Sequence, residues 1–472
     1  MPCNLKRCQK IRRKLSSSKL KDDRNPFHKG QDVSVTATLH EHANRLAIEG
    51  GQPVRSEPLP WELPGAHWIG EEELELVSRV IRARSPFRFY GPDLQRMVDT
   101  LEEEWCSAFG HRHALGVSSG TAALSIAMSA LEIGPGDEVL VPGYLWVSCV
   151  SAVVRAGAIP RLVDIDDCFT LDPVDLERKI GPRTRAALMV HMSGAPGRVA
   201  EVARICRERG IGLIEDCAQT AGASQDGKAV GTFGDVGIFS FQLNKNMTSG
   251  DGGMVVTERD DLFRRIVALH DVGYPRNAQG RLDTSDPECQ LWGVGARMSE
   301  LTGAMCLAQM RKLPLITGAM RSAKWRIREA LTDVAGLNFR TIPDPKGDTG
   351  PFMLMALRDG ETAERFVAAL RAEGIAGPPG SLACLTMREW GMHWYSNIPS
   401  LVNKRSNSRD GAPWTLPANA FAADYSYAFG ALPRCDDLHA RGALLTIAST
   451  LTPEDVDDII TAMRKVARVV LA

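Results

Sequence analysis

The sequence of 472 residues has no CxxC pair, no strong excess of either charge and no long uncharged apolar run. Its eleven cysteines are scattered singly, which argues against a metal site and predicts reduced thiols in a cytoplasmic protein. Lysine and arginine (56) balance aspartate and glutamate (57), so wholesale binding to nucleic acid or to an anionic membrane is not expected. The longest uncharged runs, such as residues 114–131, are rich in serine, glycine and threonine and do not predict a transmembrane helix.

The N-terminal segment departs from this charge balance. Residues 1–32 contain ten lysines and arginines and three acids, without hydrophobic periodicity. This composition, followed by a polar stretch rich in proline and glycine, predicts a basic, disordered arm over residues 1–58. A nucleic-acid-binding arm and a targeting peptide remain alternatives.

Short β-type runs alternate with helical stretches between residues 114 and 257. Several of the runs are apolar throughout, as expected for strands that helices cover on both faces. This alternation predicts an α/β layer with a largely parallel sheet, in which functional residues follow the carboxyl ends of the strands. The predicted strands are 138–141, 161–164, 187–191, 212–216, 236–241 and 253–257.

Within this layer, a helical pattern lies between strands at residues 199–209. Outside it, helices are expected near residues 71–83, 94–109, from 299 onward, 363–373 and 453–469, with a further strand near 352–357. The irregular stretch 389–417 contains Trp390, Trp394 and Trp414. A substrate loop and a surface loop pinned by aromatic side chains both fit that stretch.

Two motifs predict sites for charged groups. Ser118, Ser119, Gly120 and Thr121 precede an apolar helical pattern, so free backbone amides and the helix dipole there favour an anion. A plain helix N-cap is the alternative. Asp216 ends an apolar strand, where its carboxylate needs a hydrogen-bonding or cationic partner. A protonated ring nitrogen, a metal ion and a simple capping role all fit.

Two further motifs predict a nucleophile and a ring platform. Lys245 follows a strand and precedes the glycine-rich turn 249–253. A partly desolvated lysine has a lowered pKa and can form a Schiff base, whereas a surface lysine on a turn has no such role. Trp146 follows the strand at 138–141 and either stacks on a flat ring or packs in the core. The four motifs together match the protein side of pyridoxal phosphate chemistry.

The sequence resembles the DegT/DnrJ/EryC1/StrS family of pyridoxal-phosphate sugar and cyclitol aminotransferases over residues 60–470. The segments that carry the resemblance, in family order, are SSGTAAL (118–124), GDEVLVPGYLWVS (136–148), VDID (163–166), LIEDCAQ (213–219), GTFGDVGIFSFQLNKNMTSGDGG (231–253), GARMSEL (295–301) and PEDVDDIITAMRKV (453–466). The resemblance implies a fold-type I α/β transferase and a homodimer with its sites at the interface. It implies a large cofactor domain over residues 59–320, with a mostly parallel seven-stranded sheet, and a smaller α+β domain over 321–472.

The resemblance also implies roles for individual residues. Lys245 would form the Schiff base with pyridoxal 5'-phosphate and transfer the proton, and Asp216 would pair with the pyridinium nitrogen. Gln219 would contact the ring hydroxyl, and Trp146 would stack on the face of the ring. The phosphate would be held by Gly120, Thr121 and Ser240.

The implied reaction moves an amino group from glutamate or glutamine to a keto-sugar or keto-cyclitol, in secondary-metabolite or cell-surface sugar biosynthesis. Members that dehydrate sugars carry histidine in place of Lys245, so the lysine favours transamination. Gly295 stands where the family usually has an asparagine that reaches the cofactor phosphate of the partner subunit, and it has no side chain for that contact.

Residues 385–430 match no family motif and are a candidate region for acceptor specificity. The alternatives to transamination are another reaction of the same cofactor, of the aldol or decarboxylation type, and a non-catalytic regulatory relative.

Overall fold

The computed structural model describes residues 45–472, so residues 1–44 of the predicted arm lie outside the described residues. The rest of the predicted arm is folded. Leu46 is buried in a hydrophobic core, the Arg55 amide donates to the Glu373 carbonyl at 3.0 Å, and the Val54 amide donates to the Glu373 carboxylate at 3.1 Å. Residues 46–58 therefore belong to the main folded unit rather than to an arm.

A seven-stranded sheet forms the centre of the N-terminal part. Its strands are β1 (His113–Val117), β2 (Glu138–Pro142), β3 (Ile159–Val163), β4 (Thr184–Val190), β5 (Gly212–Asp216), β8 (Val236–Ser240) and β9 (Gly253–Thr257), and a separate hairpin joins β6 (Ser224–Gln225) to β7 (Lys228–Ala229). The order is β1-β9-β8-β5-β4-β2-β3, and the sheet is parallel except at β9, which is antiparallel to both of its neighbours. Each of the six strands predicted between residues 138 and 257 overlaps an observed strand, whereas β1 was not predicted.

Helices pack against this sheet and bury its strands. Helix α3 begins where the Ser119 hydroxyl accepts the Ala122 amide at 3.1 Å, and it is buried on most sides because its residues are small and apolar. The helices of this part are α1 (Glu71–Ala83), α2 (Met97–Phe109), α3 (Gly120–Ala130), α4 (Val147–Arg155), α5 (Pro173–Lys179), α6 (Val199–Arg209), α7 (Asp260–His270) and α8 (Glu300–Ala330).

A second, four-stranded antiparallel sheet forms the C-terminal part, in the order β10-β11-β13-β12. Its elements are β10 (Asn338–Phe339), β11 (Phe352–Ala356), α9 (Gly360–Ala372), β12 (Cys384–Thr386), α10 (Pro399–Val402), α11 (Pro433–Arg441), β13 (Gly442–Thr446) and α12 (Pro453–Val470). Short 3-10 turns at Met387–Glu389, Gly391–His393 and Tyr395–Asn397 follow β12. We call the part built on the first sheet the large domain and this part the small domain.

The boundary predicted at residues 320 and 321 falls inside α8, which continues from the large domain into the small one. Residues 46–472 form one compact unit, so the division at residue 320 stays a prediction. Across residues 45–472, no helix combines the length and the apolar character that a membrane span requires.

Candidate active site

The carboxyl ends of β5 and β8 meet the N-termini of α3 and α4 around a cavity of about 640 Å³. This is the edge of a parallel sheet where ligands bind in α/β folds. The cavity is lined by all seven of the residues predicted as catalytic or cofactor-binding: Gly120, Thr121, Trp146, Asp216, Gln219, Ser240 and Lys245. The structure therefore brings these residues together, and the role of each stays a prediction.

The carboxylate of Asp216, at the end of β5, is buried and held by two hydrogen bonds. One oxygen accepts the Ala218 amide at 3.0 Å, and the other lies 3.1 Å from the Cys149 sulfur, which donates to it. Burial, together with the negative charge of Asp216, raises the pKa of the Cys149 thiol well above its usual value. The thiol thus stays protonated and fixes the orientation of the carboxylate.

Lys245 lies in the loop after β8 and lines the same cavity. Its amide donates to the Gln242 carbonyl at 3.0 Å, and its carbonyl accepts the Gly65 amide at 3.2 Å, which fixes the backbone. Loss of hydration lowers the pKa of the Lys245 ammonium, although the Asp216 charge opposes the change. A lowered pKa is the direction that a nucleophilic amine requires.

The start of α3 forms a cradle for an anionic group. Gly120 is the first residue of that helix, and the first amides of a helix have no partner within it. A Cβ atom at Gly120 would lie 2.7 Å from the Ser240 Cβ, so only glycine allows this close approach. The Thr121 hydroxyl lies 2.9 Å from the Ser148 hydroxyl at the same end. Amides, hydroxyls and the helix dipole here fit a phosphate group.

Trp146 and Gln219 line the same cavity. Trp146 precedes α4 and is 40% exposed, so part of its side chain is accessible from the cavity. The Gln219 side-chain oxygen accepts the Ser193 amide at 2.7 Å, and within residues 45–472 its side-chain nitrogen makes no hydrogen bond. That nitrogen can donate to a hydroxyl of a bound ring. The residues present therefore fit pyridoxal 5'-phosphate.

A buried contact between two polar side chains that was not predicted supports this region. His191 Nε2 lies 3.0 Å from the Glu215 carboxylate, and both side chains are inaccessible to solvent. Glu215 also accepts the amides of Gly231, Phe233 and Gly234 at 2.7–2.9 Å. Burial opposes ionisation of Glu215, but His191 and these amides hold its pKa below its usual value. The signal in the sequence was a second carboxylate inside an apolar strand, which requires buried partners.

The irregular stretch after β12 fits both of the interpretations that the sequence left open. Trp394 is buried and stacks on Tyr144 with ring centroids 4.5 Å apart, so it pins the segment. Trp390 and His393 line the cavity, so the segment also forms part of the site. In the described chain Gly295 does not line this cavity, and its positive φ of 64° favours glycine there.

The model of the DegT/DnrJ/EryC1/StrS aminotransferase family matches residues 68–379. The chain belongs to this family. The resemblance seen in the motifs is thus confirmed, and the protein is an aminotransferase with the α/β fold predicted for it. The roles of its individual residues are a separate question.

Two relatives and one solved structure illustrate the similarity. An L-glutamine:2-deoxy-scyllo-inosose aminotransferase of Streptomyces kanamyceticus is 35% identical over 68% of this chain and 75% of its own. A protein of Streptoalloteichus tenebrarius, inferred to be an L-glutamine:3-amino-2,3-dideoxy-scyllo-inosose aminotransferase, is 30% identical over 90% of this chain and 98% of its own. The crystal structure of S. venezuelae DesV in complex with a ketimine intermediate has a TM-score of 0.69 at 26% identity, covering 87% of this chain and 99% of DesV.

Proposed function

We propose that the protein is a pyridoxal 5'-phosphate-dependent aminotransferase that moves the amino group of L-glutamine or L-glutamate to the ketone of a sugar or cyclitol. The observation that carries the proposal is the convergence of Lys245, Asp216 and the Gly120 cradle on one cavity. The two relatives are named as aminotransferases of inososes, with L-glutamine as the donor. These names support L-glutamine as the donor and a cyclitol ketone as the acceptor. A cytoplasmic homodimer that serves amino-sugar or aminocyclitol biosynthesis remains our prediction.

The cavity residues divide the work of holding the cofactor. When bound, the cofactor supplies an electron-accepting ring that carries the amino group between the two substrates. The amides at the start of α3 would bind its phosphate, and the Asp216 carboxylate would hold a proton on its ring nitrogen. The Cys149 thiol and the Ala218 amide orient that carboxylate.

Lys245 would move the proton of the reaction. Its lowered pKa leaves more of the amine neutral than in a solvated lysine, and a neutral Nζ can accept a proton from the α-carbon of the donor. The same Nζ can then return that proton to complete the transfer. The short loop between β8 and the turn at residues 249–253 places Lys245 among the residues that line the cavity.

The two half-reactions test this proposal on the cofactor-loaded protein. We expect L-glutamine or L-glutamate alone to convert the visible absorbance band of the aldehyde form into that of the amine form. A keto-cyclitol or keto-sugar should then restore the first band with formation of the amino product. Release of carbon dioxide or of a carbon fragment without amino transfer would contradict the proposal and favour a decarboxylation or an aldol-type reaction.

A further inference from the structure

The small domain reaches the active site through a backbone contact with the loop that carries Trp146. Tyr144 and Trp394 form an antiparallel bridge. The Leu145 amide donates to the His393 carbonyl at 2.9 Å, and the Tyr395 amide donates to the Gly143 carbonyl at 2.9 Å. This pairing joins the loop after β2 to the segment after β12 and sets His393 beside Trp146.

Three aromatic rings then form one wall of the cavity, which we call the aromatic wall (Trp146, Trp390 and His393). The His393 ring stacks on Trp390 at 4.3 Å and 11°, and it lies 4.7 Å from the Trp146 ring. The Trp390 indole N–H donates to the Tyr144 hydroxyl at 3.1 Å. Stacking, a hydrogen bond and backbone pairing therefore hold the wall in place without a ligand.

The hydrogen bonding of His393 defines what its free nitrogen can do. Nδ1 lies 2.6 Å from the Trp390 carbonyl, and because a carbonyl only accepts, Nδ1 carries the proton. Burial and the positive charge of Lys245 lower the pKa of His393 to about 4, so the ring is neutral at neutral pH. In the part of the chain that the structure describes, Nε2 has no hydrogen-bond partner. A neutral Nε2 accepts a hydrogen bond, and a ligand hydroxyl can supply it.

The charges around the cavity indicate which hydroxyl-bearing ligands fit. Among the described residues that line it, Asp216, Asp251 and Glu389 are acidic, and Lys245 is the single lysine or arginine. Arg371, outside the lining, pairs with Glu389 at 3.0 Å, so within residues 45–472 Asp216 and Asp251 are the lining acids without such a partner. A sugar linked to a nucleotide brings a diphosphate, which proteins usually bind with arginine, lysine or free amides. The free amides at the start of α3 already fit the cofactor phosphate, and Lys245 is the proposed nucleophile. This balance favours an acceptor that carries no phosphate.

We propose that His393 is a specificity-determining residue, whose Nε2 accepts a hydrogen bond from a ring hydroxyl of a phosphate-free polyhydroxy ketone such as a free cyclitol ketone. The inference rests on the proposed aminotransferase function and narrows its acceptor class. Trp390 holds His393 at the required position, and the cyclic carbon skeleton packs against the aromatic wall.

The test uses cofactor-loaded protein and separates the two half-reactions. His393→Phe keeps the stacking ring and removes the acceptor nitrogen, whereas His393→Gln retains an acceptor oxygen. His67→Phe is the matched control, because His67 is exposed and does not line the cavity. We expect His393→Phe to lower kcat/KM for a cyclitol ketone by about 10- to 100-fold, mainly through KM, with an unchanged donor half-reaction. His393→Gln should recover part of the loss, and His67→Phe should match the wild type.

Calorimetric binding to the amine-loaded protein gives a readout without turnover. The probes are scyllo-inositol, a polyol without a ketone, and uridine diphosphate. We expect scyllo-inositol to bind more tightly than the nucleotide and to lose about tenfold or more in affinity in His393→Phe.

Three results would overturn the inference: tighter binding of uridine diphosphate, unchanged polyol binding in His393→Phe, or an equal loss in both half-reactions. If the wild type takes no amino group from glutamine or glutamate, the proposed function itself fails, and the inference fails with it.

Discussion

The aromatic wall of the cavity and its floor, the name we give to the part lined by Gly120, Asp216 and Lys245, are assembled in different ways. The floor comes from short motifs in the large domain, in which Gly120, Asp216 and Lys245 each follow or face the end of a strand. Two of the three rings of the wall, Trp390 and His393, come from the small domain, where Trp390 is positioned by a hydrogen bond to Tyr144, 246 positions earlier in the chain. Local sequence therefore determines the residues predicted to do the chemistry, whereas long-range packing determines those predicted to select the acceptor.

This difference has a kinetic consequence. Both half-reactions of an aminotransferase use the same cofactor, so damage to the floor should slow both. Damage to Trp390 or His393 in the wall should slow the acceptor half-reaction alone. Each of the following variants tests one side of that division.

The largest effect is expected from Lys245→Ala at the floor. The variant loses the amine that is proposed to move the proton, so both half-reactions should slow by about 10⁴-fold. Stopped-flow absorbance of the loaded protein measures each step. Lys228→Ala is the control, because Lys228 is exposed and outside the cavity. Rates in Lys245→Ala near those of the control would contradict the proposal that Lys245 moves the proton of the reaction.

The next effect concerns the stability of the floor. Glu215→Ala leaves His191 and three backbone amides buried without their partner. The free energy of unfolding should fall by about 3 kcal/mol, as measured by denaturant titration. The exposed Glu208, paired with Arg204 on the surface of α6, offers a control in Glu208→Ala, which should leave the midpoint unchanged. Equal midpoints for the two variants would mean that the buried pair does not support the floor.

The same carboxylate predicts a pH dependence. Because the folded protein holds the pKa of Glu215 below its ordinary value of 4.5, the stabilisation is complete above that pH. It is lost as the pH falls towards the folded-state pKa, since the unfolded chain then binds the proton first. The difference in unfolding free energy between the wild type and Glu215→Gln should shrink on acidification. A difference that grows as the pH falls would contradict the lowered pKa of Glu215 in the folded protein.

A smaller effect is expected at the phosphate cradle. Gly120→Ala places a Cβ atom 2.7 Å from Ser240, so the start of α3 must shift. The affinity for pyridoxal 5'-phosphate should fall by about 10- to 100-fold, measured by absorbance titration. Gly134→Ala is the control, because the nearest atom to its added Cβ lies 3.9 Å away. Unchanged affinity in Gly120→Ala would place the phosphate elsewhere.

The smallest effect is expected where floor and wall meet. Tyr144→Phe removes the hydroxyl that accepts the Trp390 N–H and lies 3.0 Å from the Ser193 hydroxyl. The free energy of unfolding should fall by about 1 kcal/mol, and KM should rise for the acceptor but not for the donor. Tyr90→Phe alters an exposed residue and should change neither quantity. A rise in both KM values would show that this contact of the aromatic wall affects the donor half-reaction as well as the acceptor half-reaction.

The same division explains what the sequence could predict. The pair of Asp216 and Lys245 was predictable because β5 and β8 are parallel neighbours with local apolar patterns and polar residues at their ends. His393 was not, because its position depends on the bridge between Tyr144 and Trp394, which leaves no local pattern.

Residues 46–58 show the same limit for the fold. Their proline and glycine content is typical of an arm, yet Leu46 is buried in the core of the small domain. The burial of this leucine depends on tertiary contacts with residues far along the chain, such as Glu373. The propensity of a short polar segment does not reveal contacts of that kind.

The central claim is that Lys245 is the residue that binds the cofactor covalently. Borohydride reduction of the loaded protein, followed by proteolysis and mass spectrometry, tests it directly because reduction fixes a Schiff base to its lysine. We predict that the reduced cofactor is found on the peptide that contains Lys245, and that prior treatment with L-glutamine or L-glutamate removes the label. A label on a different lysine, or a label that the amino donor does not remove, would contradict the account.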